Sequence, residues 1–423
     1  MNQTIRKRIE DINNGIVPEG YKQTSFGIFP SDWETNKKLN DLGIFDKGKG
    51  LPGDKMTDEG VPCIGYGDIY MKYNYHFEKA QNFVDEKTAS ESQPIEKGTL
   101  LFTGTGETAE EIGKCVCYNG DETIYAGGDI ILFNSKEVNP LFLAYQQYQD
   151  FSLKRKAMFG QGHSVVHIQR GELAKLYTAF PKDKAEQGKI AEILMKWDEM
   201  VELQEQYIQK LELRKKAIMK KLLTPKDGWE NYKLFELVVS MSSGGTPSTK
   251  KQEYYDGNIV WVSIDDMSRA GKYIADSARK LTDLGLKNSS AKLFPEQTIL
   301  YAMYASIGKT VISTVPCTTS QAILGIIVNQ EKLDNQYLYY YLLNMQDKIV
   351  LQGQKGTQSN LNKEMVEKFD ISLPKDLDEQ KKISKILMSV DEEISLQKEK
   401  LAKIKEERKA MQQYLLTGIV RVG

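Results

Sequence analysis

The chain has 423 residues, 40% of them apolar and 27% charged, so length predicts about three domains and composition an ordinary soluble globular protein. A formal net charge of −1 excludes a global electrostatic pull towards nucleic acid or membrane, so any DNA binding must rest on local charge or on partners. No run approaches the roughly 18 apolar residues of a membrane span, and the opening MNQTIRKRIEDINNG has no apolar core, which excludes a secretory signal and predicts a cytoplasmic protein without a membrane partner.

Residues 2–14 carry Ile5, Ile9 and Ile12 at helical spacing and stop at Gly15, predicting a short amphipathic helix. Pro18, Gly20, Gly27 and Pro30 then mark an irregular connector. From about residue 34 to 184, short apolar runs between glycines (VPCIGYGDIY, GTLLF, KCVCY, DIILF) predict strands. A helical stretch at 140–151, the glycine-rich FGQGHS and the run ELAKLYTAFP follow. Cys63, Cys115, Cys117 and Cys317 have neither CxxC nor zinc spacing, which fits reduced, mostly buried thiols.

A long amphipathic helix comes next, at 185–224. Ile190, Leu194, Trp197, Val201, Ile208, Leu211, Ile218 and Leu222 follow steps of four and three, with Gln204 and Lys215 in the remaining slots. From about 229 to 375 the strand pattern returns in the same order: NIVWVSIDDM, QTILYAMY, TVIST, AILGIIV, the helical NQYLYYYLLNMQ, then GQKGTQSN and EMVEKFDISLP. The helix returns too. Ile383, Leu387, Val390, Ile394, Gln397, Leu401, Ile404, Arg408, Met411 and Leu415 each stand 193 positions after the first series, polar interruptions included. Pro30, Asp32 and Trp33 match Pro225, Asp227 and Trp229; Gly162 falls on Gly356, and Pro181 on Pro374.

The expected fold is therefore α+β: a tandem repeat of two similar globular domains and two long helices, with a pseudo-two-fold. The expected segments are an N-terminal helix and connector (1–29), a first domain (30–184), a central helix (185–224), a second domain (225–377) and a C-terminal helix and tail (378–423). One heptad stretch alone would suggest a homodimer; two matched copies favour pairing within the chain. Domain termini lie close together, so the end of the first helix meets the start of the second and the pair is an antiparallel coiled coil. Its seam is roughly 48 Å long at about 1.5 Å per residue. Gln204, Gln397, Lys215 and Arg408 either fix its register or face a partner.

Catalytic motifs are present only in fragments. FTGTG at 102–106 imitates the glycine-rich loop of adenine methyltransferases, yet no NPPY or DPPY follows and 301–305 has no glycine. IGKT at 307–310 lacks the earlier glycine of a phosphate-binding loop, since Met303 stands there. Gly113–Lys114 occupies the matching point, so a turn presents one lysine per domain, Lys114 and Lys309, as a phosphate contact or a solvated surface group. His163 and His167 have no acid or thiol at ligand spacing and are expected to be loop or core histidines. Glu379, Gln380 and Lys381 imitate part of a nuclease motif but begin a helix, and Gly188 replaces the lysine in the first copy. No catalytic, cofactor or metal site is expected.

The glycine-rich loops differ in kind. Gln161, His163 and Ser164 in GQGHSVVHIQ, and Lys355, Thr357, Gln358, Ser359 and Asn360 in GQKGTQSNLN, suit hydrogen bonds to phosphates and base edges, or else cap the following helix. Tyr304 and Ser306 are secondary candidates.

With these motifs in place, the chain resembles the specificity subunits of type I restriction-modification systems over nearly its whole length. The second domain carries the resemblance in SGGTPSTKKQEYYDGNIVWVSIDDM, ILYAMYASIGK and GTQSNLNKEMVEKFDISLPKDLDEQKKI. The first has looser versions, GKGLPGDKMTDEGVPCIGYGDIY and LLFTGTGETAEEIGK, and carries GHSVVHI where the family has the asparagine of GTQSNL. The resemblance implies two target-recognition domains reading the halves of a split, asymmetric site in double-stranded DNA. It implies long helices that act as spacer and as docking surface for two methyltransferase subunits, with a motor-nuclease restriction subunit joining them. S-adenosylmethionine, Mg and ATP would be held by those partners, and this chain would be non-catalytic. A self-sufficient methyltransferase or nuclease, and a coiled-coil scaffold without a nucleic-acid role, are the alternatives.

Overall fold

A computed structural model describes residues 3–51, 53–162, 165–355 and 360–422. They form two compact units: residues 1–203 with 401–423, and residues 204–400.

The first unit is built on a five-stranded sheet in the order Gly43–Lys47, Ile130–Ser135, Thr99–Thr103, Cys115–Tyr118, His76–Phe77. A second sheet joins Asn82–Val84, Val61–Ile64, Ile124–Ala126 and Gln93–Ile95. In the second unit the larger sheet runs Val238–Ser243, Ile323–Val328, Ile299–Ala302, Thr310–Ser313, Tyr273–Ile274, and the smaller joins Lys280–Leu281, Tyr255–Val262 and Cys317–Thr319. The larger sheet repeats strand for strand, whereas the smaller has four strands in the first unit and three in the second. Each large sheet is antiparallel except for its last pair, and each small sheet contains one parallel pair.

The central strands read as unbroken apolar runs because both their faces are covered. Thr99–Thr103 is buried throughout. Leu100 and Phe102 enter one core with Cys115, Cys117, Ile131 and Phe133, whereas Leu101 enters another with Val116, Ile130 and Leu132. Alternate residues of a strand point to opposite faces, so one run supplies two cores. In the second unit Ile299 and Tyr301 separate in the same way from Leu300 and Ala302. All four cysteines are buried, and burial pushes their thiols up, Cys63 and Cys317 to about 11 and Cys117 to about 12.

The long helices span Lys184–Leu222 and Leu377–Leu416. In the first unit Ile190 and Leu194 share the domain core with Leu415 and Leu416, while Asp198 pairs with Arg408. In the second, Gln204 donates to Gln397 (2.9 Å), Tyr207 donates to Glu393 (3.1 Å) and Lys215 pairs with Asp391 (2.5 Å). As one helix advances its partner positions recede, so the pairing within each unit is antiparallel. Among the seam positions Ile190, Leu194, Ile208, Leu211, Ile383, Leu387, Ile394, Ile404 and Leu415 are buried. Trp197, Val201, Ile218, Leu222, Val390, Leu401 and Met411 are half-buried. Towards the end of the first helix Met219 and Leu223 carry the deepest burial, as a 3.6-residue period drifts against a strict heptad.

One polar constellation ties each domain to both helices. In the first unit the Tyr145 hydroxyl donates to Asp198 Oδ2 (2.6 Å), Arg408 Nε donates to Asp198 Oδ1 (2.7 Å), and the Arg408 guanidinium lies 4.0 Å from the Tyr75 ring centroid and donates to its hydroxyl. In the second, Tyr340 donates to Asp391 Oδ2 (2.6 Å), Lys215 pairs with Asp391 Oδ1, and Lys272 Nζ donates to the Tyr340 hydroxyl (2.9 Å). Burial pushes both phenols, Tyr145 and Tyr340, well up, so the hydroxyls stay protonated and donate. Burial also pulls Lys272 down to about 8. A buried glutamine adds a second tie: Gln187 accepts from Asn139 N–H (2.7 Å) and donates to Pro181 O (2.8 Å), as Gln380 accepts from Asp334 N–H (2.9 Å) and donates to Pro374 O (2.9 Å).

The N-terminal helix Gln3–Asn13 buries no residue completely. The chain end anchors in the same unit, where Arg421 binds Glu186 (2.6 and 2.9 Å) and Asp32 (3.0 and 2.9 Å) through its guanidinium.

Asp198→Ala leaves the buried Arg408 without its carboxylate, a loss of roughly 2–3 kcal/mol for a pair this enclosed. Hydrogen exchange should accelerate in helix Pro140–Gln146 and around Arg408, and Asp391→Ala should act instead on the helix bearing Tyr340 and around Lys215. Faster exchange in the long helices alone would contradict the constellation's reach into the domains.

Candidate nucleic-acid interface

Three backbone hydrogen bonds build the same junction in each domain. At the end of the central strand Thr103 N–H donates to Lys114 O (3.0 Å), Gly104 N–H donates to Asp129 O (3.0 Å), and Gly104 O accepts from Ile168 N–H (3.0 Å). The second domain repeats all three: Ala302 to Lys309 O (2.9 Å), Met303 to Ala322 O (2.9 Å), and Leu361 to Met303 O (3.0 Å). The central strand thereby collects the loop after it and the chain that leaves the glycine-rich loop.

These bonds correct the sequence alignment by one residue. Ile168, not His167, is the counterpart of Leu361, and His167 corresponds to Asn360. Matching Gly162 to Gly356 follows the glycines, whereas the register follows the backbone bond.

The junction gathers part of the expected set. In the first domain Gln161 is exposed and exchanges two backbone bonds with His167 (3.0 and 2.8 Å). In the second, Tyr304, Ser306 and Asn360 are exposed, and the Ser306 hydroxyl lies 3.4 Å from that of Ser268. His163, Ser164, Thr357, Gln358 and Ser359 lie outside the described residues, as does the side chain of Lys355 at the end of helix Asn335–Lys355.

Lys114 and Lys309 are half-buried and each has a partner. Lys114 Nζ donates to Tyr70 O and Lys309 Nζ to Ala270 O, both at 3.1 Å, each a carbonyl at the end of a short helix, Tyr66–Met71 or Ile264–Arg269. Last-turn carbonyls lack intrahelical partners and attract cations. Burial pulls the Lys114 ammonium below its ordinary value. The preceding glycines hold left-handed backbone, Gly113 at φ +68° and Gly308 at φ +80°, which other residues adopt only with strain. One donor of each ammonium is thus used internally, and two remain for a ligand. In the first domain Glu107, Glu110 and Glu111 stand exposed on the same loop, opposing a phosphate there.

The FTGTG loop packs against Tyr70, whose hydroxyl lies 2.8 Å from Thr103 Oγ1 and donates to Thr105 O (3.0 Å). A Cβ at Gly106 would come within 2.8 Å of that hydroxyl, so close packing accounts for this glycine. Gln380, within the nuclease-like fragment, is spent on the buried tie described above. Among the described residues no group of three His, Cys, Asp or Glu could hold a metal ion. Likewise no described helix is long and apolar enough to cross a membrane.

The fold and this duplicated junction define a two-domain repeat, and comparison with known proteins identifies its family. The family model for the type I restriction modification DNA specificity domain matches residues 30–213 and again 226–406. The chain belongs to that family. It is 26% identical to the putative type I restriction enzyme MjaX specificity subunit of Methanocaldococcus jannaschii, over 96% of this chain and 97% of that one. It is 27% identical to the MjaVIII specificity subunit of the same organism, over 96% and 98%. The fold is shared with the type I S subunit from M. genitalium (TM-score 0.57, 16% identity, 95% of this chain and 99% of that chain). It is also shared with a chain from work on complex assembly and conformational transition of the type I R-M system (TM-score 0.62, 14% identity, 93% and 99%).

Sequence reasoning did not single out Thr105, and it expected His167 to be a loop or core histidine, whereas the structure sets His167 in a short strand opposite Thr105. The strings GQGHSVVHIQ and GQKGTQSNLN, aligned from their shared first two residues, already place His167 on Asn360.

Replacing Lys309 by alanine removes a hydrogen bond from a charged donor to a helix-end carbonyl. The second domain should lose on the order of 1–2 kcal/mol of stability, read as a lowered melting temperature. Lys250→Ala, at an exposed lysine, is the comparison; equal effects at the two sites would return Lys309 to the solvated surface.

Proposed function

We propose that this chain is the non-catalytic DNA-reading subunit of a type I restriction-modification complex in the cytoplasm. Its two domains, 30–184 and 225–377, each read one half of a bipartite, asymmetric site in double-stranded DNA. The helices at 185–224 and 378–423 serve as spacer and as docking surface for two methyltransferase subunits, and a motor-nuclease subunit joins for restriction. Adenine methylation and ATP-driven restriction, with S-adenosylmethionine, Mg and ATP, belong to those partners. Lys114 and Lys309 contact phosphates through their remaining donors, and Gln161, His163, Ser164, Tyr304, Ser306, Lys355, Thr357, Gln358, Ser359 and Asn360 supply polar contacts to the DNA.

One observation carries this reading: the same backbone junction is built twice and presents unlike side chains. Identical readers would demand a palindrome, whereas diverged ones read unrelated half-sites. Family membership over both domains supports it, and so do the relatives, which are named specificity subunits. The packing of Tyr70 against the FTGTG loop favours a structural role there over a cofactor site.

Methylation mapping of cells carrying this chain with its partner methyltransferase tests the proposal. The expected result is one split motif with unlike halves, each holding a methylated adenine. A palindromic motif, or no new methylated motif, would overturn it.

A further inference from the structure

Four side chains outside the hydrophobic cores stand at the duplicated junction. In the first domain they are Thr105, which follows Gly104, and His167, which precedes Ile168; in the second they are Tyr304, which follows Met303, and Asn360, which precedes Leu361. The frame that holds them is the same in both domains, and the side chains are not.

The first-domain pair, a half-buried Thr105 and an exposed His167, is held firmly in two short strands. Val166 and His167 form a short strand against Thr105 and Gly106, with His167 opposite Thr105. On its other edge His167 exchanges two backbone bonds with Gln161. Buried Val166 and Ile168 anchor it on either side, so the imidazole stands outward on a fixed backbone. Its Nδ1 lies 3.3 Å from Thr105 Oγ1, which orients the ring and leaves Nε2 for a ligand. In the second domain Tyr304 is followed by Ala305 at φ +56°, a left-handed backbone that a non-glycine residue holds only under constraint.

We infer that Thr105 with His167, and Tyr304 with Asn360, are the specificity-determining positions of the two domains, each pair serving contact with base edges in its own half-site. The inference rests on the bipartite reading proposed above and assigns that reading to particular side chains. An asparagine amide carries a donor and an acceptor side by side, which matches the N6 and N7 edge of adenine in the major groove. An imidazole with Nδ1 engaged offers a single nitrogen and makes one contact. Thr105 is a positioning residue, setting the ring that makes the contact. Placing different chemistry on one frame is how two domains of common fold come to read different sequences.

The test is methylation mapping with the native chain and with His167→Ala, Thr105→Val and Asn360→Ala, each together with the partner methyltransferase. His167→Ala should weaken discrimination at a base pair of one half-site by roughly ten- to a hundred-fold and leave the other half-site strict. The strict half also reports that the complex has assembled. Thr105→Val should relax the same base pair less, and Asn360→Ala should relax the opposite half. An unchanged motif for His167→Ala, or equal relaxation of both halves, would overturn the assignment. A native chain that directs methylation to no split motif would overturn the bipartite reading and this assignment with it.

Discussion

A carboxylate on each long helix holds this protein's domains to its helical seam. Asp198 and Asp391 each accept a tyrosine hydroxyl from the domain and a cation from the opposite helix, with both carboxylate oxygens used. Paired charges at partial burial gain little net stability, but they are demanding about geometry. A tyrosine, an aspartate and a cation must arrive together from three segments. The arrangement therefore fixes where a domain sits on its helices more than it adds to the energy of the fold. The apolar core reinforces it, since Ile190, Leu194 and Leu415 belong to the same cluster as the central sheet of the first domain.

The polar seam positions take their meaning from this constellation. Lys215 and Arg408 occupy equivalent slots in the two helices, and each meets the aspartate of its own unit. Gln204 and Gln397, also equivalent, bond to one another. The cations differ in their company: Arg408 stacks on Tyr75, while Lys215 shares its site with Lys272, the counterpart of Tyr75. The planar guanidinium suits an aromatic face, and the compact ammonium suits a crowded polar site.

Much of the fold was legible because it was written twice. The fixed spacing of 193 between the helical series, and the order of apolar runs between glycines, gave the repeat, the strands and the long helices directly. Antiparallel pairing followed from connectivity. The doubled core under GTLLF was not legible, because a run buried on both faces loses the alternation that marks a sheet face. Nor was the tyrosine–aspartate bond: Tyr145 and Tyr340 are spaced by 195 and the aspartates by 193, yet each pair lies more than fifty residues apart in sequence. The site was legible in outline only. Glycine-rich loops pointed to the duplicated junction, but matching glycine to glycine slipped the alignment by one residue, and His167 was read as a loop or core histidine. The lysines stood between a phosphate contact and a solvated surface group, because nothing in sequence reveals a helix-end carbonyl within reach of a turn.

The most direct measurement of this account is a double-mutant cycle on the first unit. Tyr145→Phe and Arg408→Met, singly and together, would be followed by the opening free energy of helix Pro140–Gln146 in native-state hydrogen exchange. The two residues act through Asp198 on different segments, so the account predicts a coupling of about 1 kcal/mol or more. Strict additivity would contradict it, and would leave the domain held to the helices by apolar packing alone.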